Sequence, residues 1–310
     1  AVEKYDKALK LDADNLLALT EKGITLLSLE KYEMVVSSCK KAIEKHPNEE
    51  ALDAVYNSYG TALDELKKPK EALKIYSEGI KKFSKNYMLY FNRGIASAGM
   101  REFDDAMLDF QKAVQLNPKH AGSHNAIARL MNGSNKKIPA LLAYARYLVL
   151  DTESKRAKGN AEALQEIMNG NAKKTGDKSV TINLDAADLA DTTATGKAKE
   201  NDFKMANMIL SLSAALDFDD KNKGENAAER LARKFESVCA MLGEKSPKKT
   251  GFFWTYYAPY FAEMSQKKLV TTFAYIALAT TNDSKIDKWL KTHTADIDKF
   301  YEWSSHFTWK

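Results

Sequence analysis

Residues 87–120 read YMLYFNRGIASAGMREFDDAMLDFQKAVQLNPKH, and the spacing within this stretch decides the fold. Apolar positions at helical spacing predict two short helices with a turn between them. The marked residues are Tyr90, Gly94, Phe103, Ala106, Phe110, Ala113 and Pro118, and their intervals recur on both sides. The small residue opening each second helix returns as Ala1, Ala72, Ala106 and Ala140, with Val35 in the corresponding place. Four positions on stand Tyr5, Cys39, Tyr76, Phe110 and Tyr144, and three further on Ala8, Ala42, Gly79, Ala113 and Tyr147. The first helices carry Gly23, Gly60, Gly94 and Ala128, and Pro47 and Pro118 mark helix ends. The period is about 34 residues.

These residue types have a steric reason. Antiparallel helices approach closely where one of them presents Gly or Ala, and the aromatic four residues along fills the space beside that contact. One such unit cannot bury its own apolar face, so stacked units share a continuous core and the ends need caps.

The pattern resembles the tetratricopeptide repeat, most closely through Gly94, Ala106, Phe110, Ala113 and Pro118. The resemblance implies an all-α protein: a right-handed superhelical array over residues 1–154, followed by a mainly helical C-terminal domain with at most a small β element. A half unit spans 1–15, and complete units span 16–49, 53–86, 87–120 and 121–154, with Glu50–Leu52 as an insertion. The last unit is degenerate, with Ala128 for Gly, Tyr147 for Ala, and Pro139 near the start of its second helix, where proline is tolerated. The array begins in mid-repeat, which predicts further sequence upstream of Ala1.

Residues 155–200 read as a capping helix and a linker. Asn160 is the expected N-cap of that helix. Val180–Leu184 alternates as a strand does, with Asp191–Thr195 as its nearest candidate partner. Residues 201–310 predict helices near Asp202–Leu216, Glu225–Leu242, Gly251–Gln266, Leu269–Thr280, Ser284–Lys291 and Ala295–Phe307. Ser284 with Asp287 approximates a capping box, and Thr294 reads as the cap of the last helix. The region is rich in aromatics from Phe252 to Trp309. It resembles the segment following the repeats in some exported bacterial tetratricopeptide proteins, which implies a periplasmic or cell-envelope location if a signal peptide lies upstream.

With 47 basic and 42 acidic residues the net charge is +5, and no concentrated basic stripe points to nucleic acid. No apolar run reaches the roughly 18 residues expected of a membrane-spanning helix. Cys39 and Cys239 make neither a disulfide framework nor a zinc site, and Cys39 reads as buried packing.

By analogy with the family, the inner face of the array is formed by Leu17, Thr20, Ile24 and Leu27, then Ala54, Asn57, Thr61 and Asp64, then Met88, Phe91, Ile95 and Ala98, then Gly122, Asn125, Arg129 and Asn132. Among these, Leu17, Ile24, Leu27, Asn57, Met88, Phe91, Ile95, Asn125 and Arg129 are the candidate partner contacts. An apolar groove marks either a binding surface for a peptide or helix or a face the protein covers itself. Family members that hold acidic chaperone tails place Lys, Asn and Arg where this chain has Thr20, Ile24, Met88 and Asn92, which points away from such tails. The aromatic tail is a second candidate, for peptide or glycan, although Phe253, Tyr257, Tyr260, Phe261 and Met264 follow core spacing.

Catalytic motifs are missing. His120 and His124 lack a third ligand, and His46, His293 and His306 read as solvated. The carboxylates Asp217, Asp219 and Asp220 precede Gly224, but Lys221, Lys223 and Arg230 stand where calcium ligands belong. The sequence therefore predicts a non-catalytic interaction scaffold without metal or cofactor.

Overall fold

The computed structural model describes residues 1–170, 172–176, 179–183, 200–244, 246 and 249–310. Through Leu150 the helices fall where the repeat spacing predicts them: α1 (Val2–Leu11), α2 (Leu16–Ser28), α3 (Tyr32–Lys45), α4 (Asp53–Glu65), α5 (Pro69–Lys82), α6 (Tyr87–Gly99), α7 (Phe103–Leu116), α8 (Ala121–Gly133) and α9 (Lys137–Leu150). The insertion Glu50–Leu52 is a 3₁₀ turn leading directly into α4. Asn15 and Asn86 cap α2 and α6 by accepting from the Ala18 and Met88 amides.

One turn joins the two helices of every complete repeat. Glu30, Lys67, Arg101 and Asn135 have φ of 56°, 61°, 65° and 53°. The amides of Lys31, Lys68, Glu102 and Lys136 then donate back to the carbonyls of Leu26, Leu63, Ser97 and Met131, each at 2.9 Å. With the amides of Glu30, Lys67, Arg101 and Asn135 donating to the carbonyls of Leu27, Asp64, Ala98 and Asn132, this double closure satisfies carbonyls that a helix end leaves open. It is made four times without glycine, at about 1–2 kcal/mol of left-handed strain per turn.

The chain divides into two compact units, residues 1–123 and 124–310. In the first, α2 packs on α4 and α4 on α6, while each also packs on the second helix of its own repeat. The close contacts are those the Gly and aromatic spacing implies. A Cβ on Gly94 would lie 2.7 Å from Phe110 Cε1 and 3.2 Å from the Ala106 carbonyl, and Tyr76 occupies the equivalent space at Gly60. At Gly23 the neighbour is Cys39, whose Sγ would stand 3.5 Å away. Cys39 is core, as its position implies, and burial pushes its thiol up to about 12. Val35, Val55, Tyr56, Ala72, Tyr76 and Leu89 continue this core, each large side chain contributing about 1.5–3 kcal/mol by burial. Arg93 on α6 grips buried Asp109 on α7 through two hydrogen bonds of 2.8 and 2.7 Å and donates to Ser77 on α5 at 3.0 Å.

The second unit is organised around α9. Every residue from Ile138 to Val149 is buried, the state expected of a helix that is apolar on all sides. The division by packing thus falls ahead of the fourth repeat's second helix, whereas the sequence pattern divides the chain at residue 154. Around α9 lie α10 (Lys155–Asn169), α11 (Lys204–Ala215), a π-helical turn at Phe253–Tyr257 and, beyond α12 (Ala227–Gly243) and α13 (Ala258–Gln266), α14 (Val270–Ala277). α15 (Ser284–Thr292) and α16 (Thr294–His306) complete the unit. Pro259 sits in the first turn of α13, directly after the π turn.

Several local expectations are corrected. α10 starts at Lys155 under a Ser154 cap, and Asn160 lies inside it, because Lys155, Arg156, Ala157 and Lys158 carry helix propensity without an extended apolar pattern. The strand Ser179–Ile182 (β2) pairs antiparallel with Ala172–Gly176 (β1) upstream, while Asp191–Thr195 lies outside the described residues. Asp283, not Ser284, caps α15 through the Lys285 and Ile286 amides, and Thr294 makes no side-chain cap for α16. The box sequence reasoning missed is Asn226 with Glu229 at α12, where both reciprocal bonds form.

Candidate functional site

The first-helix face of the N-terminal unit brings apolar side chains to the surface. Leu17 is 70% exposed, Ile24 39% and Ile95 43%, and Leu27 and Met88 are half-buried. A helix that pointed all its apolar residues at the core would leave none of these in water; here one stripe faces its neighbours and another does not. Phe91 serves both sides. It is half-buried, its ring 5.9 Å from Phe110 and edge-on to His120 at 4.7 Å. His120 in turn bonds the Ser123 hydroxyl at 2.7 Å, and burial lowers its imidazole from the usual range.

The middle repeat makes the face polar. Asn57 donates to the Asp53 carbonyl at 3.2 Å and accepts from Asn92 at 3.3 Å, so its amide is committed to the fold. Thr61 bonds both the Asn57 carbonyl and the Tyr76 hydroxyl. Thr20, Ile24, Met88 and Asn92 bring no cation to this face.

In the fourth repeat the prediction fails at Asn125. Asn125 is 7% exposed, inside the C-terminal unit, and cannot line an open surface. The adjacent His124 is also fully buried, bonded to Tyr257 at 2.6 Å, with its ring tilted against that of Trp309 at 6.3 Å. Arg129 is exposed. The histidines read as solvated are also corrected in part, since His46 is half-buried against the Asp14 carbonyl and His293 stacks on Trp289 at 4.2 Å. Among the described residues no group of three or more His, Cys, Asp or Glu could hold a metal ion, and no helix is long and apolar enough to cross a membrane.

The aromatic tail is mostly core. Phe253, Tyr257, Tyr260, Phe261 and Met264 are buried, as their spacing implies. Buried Arg146 from α9 lies over the rings of Tyr260 and Trp309 at 5.0 and 4.9 Å and donates to Tyr260 and Ser304. At the surface of the same unit a cleft of about 550 Å³ is lined by Tyr256, Pro259, Glu263, Lys267, Trp303 and Phe307. The Trp303 indole donates to Glu263 at 2.7 Å across it. Asp217, from the acidic cluster, is held by Arg233 and buried Lys234 at 2.6 and 2.8 Å, which makes it structural.

Antiparallel hairpins repeating through a Gly and aromatic contact define a helical-repeat protein. More particularly, residues 87–120 match the tetratricopeptide repeat model, and the chain carries tetratricopeptide repeats. It is similar to the protein STIP1 homolog of Dictyostelium discoideum, 27% identical over 149 residues, covering 38% of this chain and 26% of that one. It is also similar to the Hsp70-Hsp90 organizing protein of Triticum aestivum, 32% identical over 94 residues, covering 30% of this chain and 16% of the relative. The matched chain therefore spans 26% and 16% of the length of these relatives. Among solved structures, a crystal structure of MamA aligns with a TM-score of 0.43 and 20% identity over 47% of this chain and 84% of MamA.

Proposed function

We propose that the chain is a non-catalytic interaction scaffold whose N-terminal unit holds a peptide or helix against the first-helix face. The observation that carries this reading is the exposure of Leu17 and Ile24 on α2 and of Ile95 on α6, since exposed apolar side chains on one face mark contacts. The nine candidate contacts reduce to those at the surface of this unit: Leu17, Ile24, Leu27, Met88, Phe91 and Ile95. Because one relative is named for Hsp70 and Hsp90, an acidic chaperone tail stays among the occupants to be tested. A bacterial cell-envelope setting belongs to the proposal through the resemblance of the tail.

The test is partner capture by the whole chain against a Leu17→Glu, Ile24→Glu, Ile95→Glu variant. These side chains are exposed enough for the variant to keep its helical circular dichroism, which Phe91→Asp would not. Capture by the parent and loss in the variant is expected; equal capture by both would contradict the reading.

A second reading places recognition of peptide or glycan in the C-terminal unit, favoured by the cleft beside Trp303. Trp303→Ala combined with a glycan array separates it from the first, because binding through the N-terminal face would be unaffected.

A further inference from the structure

The face positions of α2, α4 and α6 include a single charged side chain, Asp64 near the end of α4. Its place in the face follows from its neighbours. Thr61, one turn earlier, bonds the Tyr76 hydroxyl, and the Asp64 charge is felt by the same phenol. Asp64 is half-buried. Among the described residues its carboxylate has no hydrogen bond or ion pair; burial first, and then Glu65, raise its proton affinity, while Lys67 only partly offsets them. At the equivalent positions the flanking repeats carry Leu27 and Ala98, with Ile24 and Ile95 one row earlier.

A carboxylate partly withdrawn from water and left unpaired is a cost that a cation from a partner would relieve. We propose that this face recognises a segment carrying a Lys or Arg between apolar side chains, the basic group meeting Asp64 and the apolar ones meeting Ile24 and Ile95. The inference rests on the face being a binding surface at all. It also sets the sign of selection: an acidic segment brings like charge to the only charged position and is disfavoured.

A random twelve-residue peptide display library panned on the whole chain tests this, with parallel selections on Asp64→Asn, Asp64→Lys and an Ile24→Ser, Ile95→Ser variant. Circular dichroism confirms that each variant is folded. The parent is expected to enrich peptides with a basic residue flanked by apolar ones. Synthetic copies should bind Asp64→Asn roughly fivefold more weakly, and Asp64→Lys should enrich an acidic residue instead. Binders lost in the Ile24→Ser, Ile95→Ser variant but indifferent to both Asp64 variants, or acidic binders selected by the parent, would overturn the inference while leaving the face as a binding surface. Binders that survive Ile24→Ser, Ile95→Ser, or no enrichment by the parent, would overturn both.

Discussion

At the scale of the residue, the repeat depends on what faces each first-helix glycine. Gly94→Ala drives a methyl group into the Phe110 ring and against the Ala106 carbonyl, and is expected to cost about 1–3 kcal/mol. Gly23→Ala meets only Cys39 Sγ at ordinary contact distance, so the gain in helix propensity, up to about 1 kcal/mol, should leave the protein unchanged or more stable. Urea denaturation of the two variants checks the opposite signs. The glycines, their aromatic partners and the burial of Cys39 were legible in the sequence because each is fixed by a contact within one repeat. Asp109 was not. Its role is set by Arg93 reaching across from the facing helix, and neither residue belongs to the repeat's small-and-aromatic spacing.

Among the elements, the recurring turn is the feature that spacing concealed. A sequence reader looks for Gly at the left-handed position after a helix, and finds Glu30, Lys67, Arg101 and Asn135. The side chains of Glu30, Lys67 and Arg101 are exposed, and among the described residues they make no hydrogen bond or ion pair that would offset the strain. Arg101→Gly is therefore expected to stabilise by about 0.5–1 kcal/mol, read as a raised midpoint in thermal unfolding; a lowered midpoint would show that the turn needs its side chain. Helix positions in the C-terminal unit were legible from apolar spacing, whereas their caps were displaced by a residue or more. Capping depends on which of two adjacent polar groups the backbone angle brings over the first turn, as at Asp283 and Ser284, and composition does not decide that.

For the whole molecule, the compact units do not coincide with the repeats. The signal was present in residues 137–150, KIPALLAYARYLVL, which are apolar around the entire helix and not along one stripe. Such a helix needs cover on every side, and α10, α11, α14 and the π turn supply it within the C-terminal unit. A fragment of residues 1–154 keeps α9 but loses most of that cover, so it is expected to aggregate on size-exclusion chromatography, whereas residues 1–123 should run as a monomer. The same consideration removes Asn125 from the proposed surface and leaves Leu17, Ile24 and Ile95 as its exposed members. The most direct measurement places the photo-crosslinking residue benzoylphenylalanine at position 95 of the whole chain, with position 108 as control, since Leu108 is 64% exposed on a second helix. Partner adducts from position 95 and none from position 108 are the expected result; adducts from position 108 alone would contradict the assignment of function to the first-helix face.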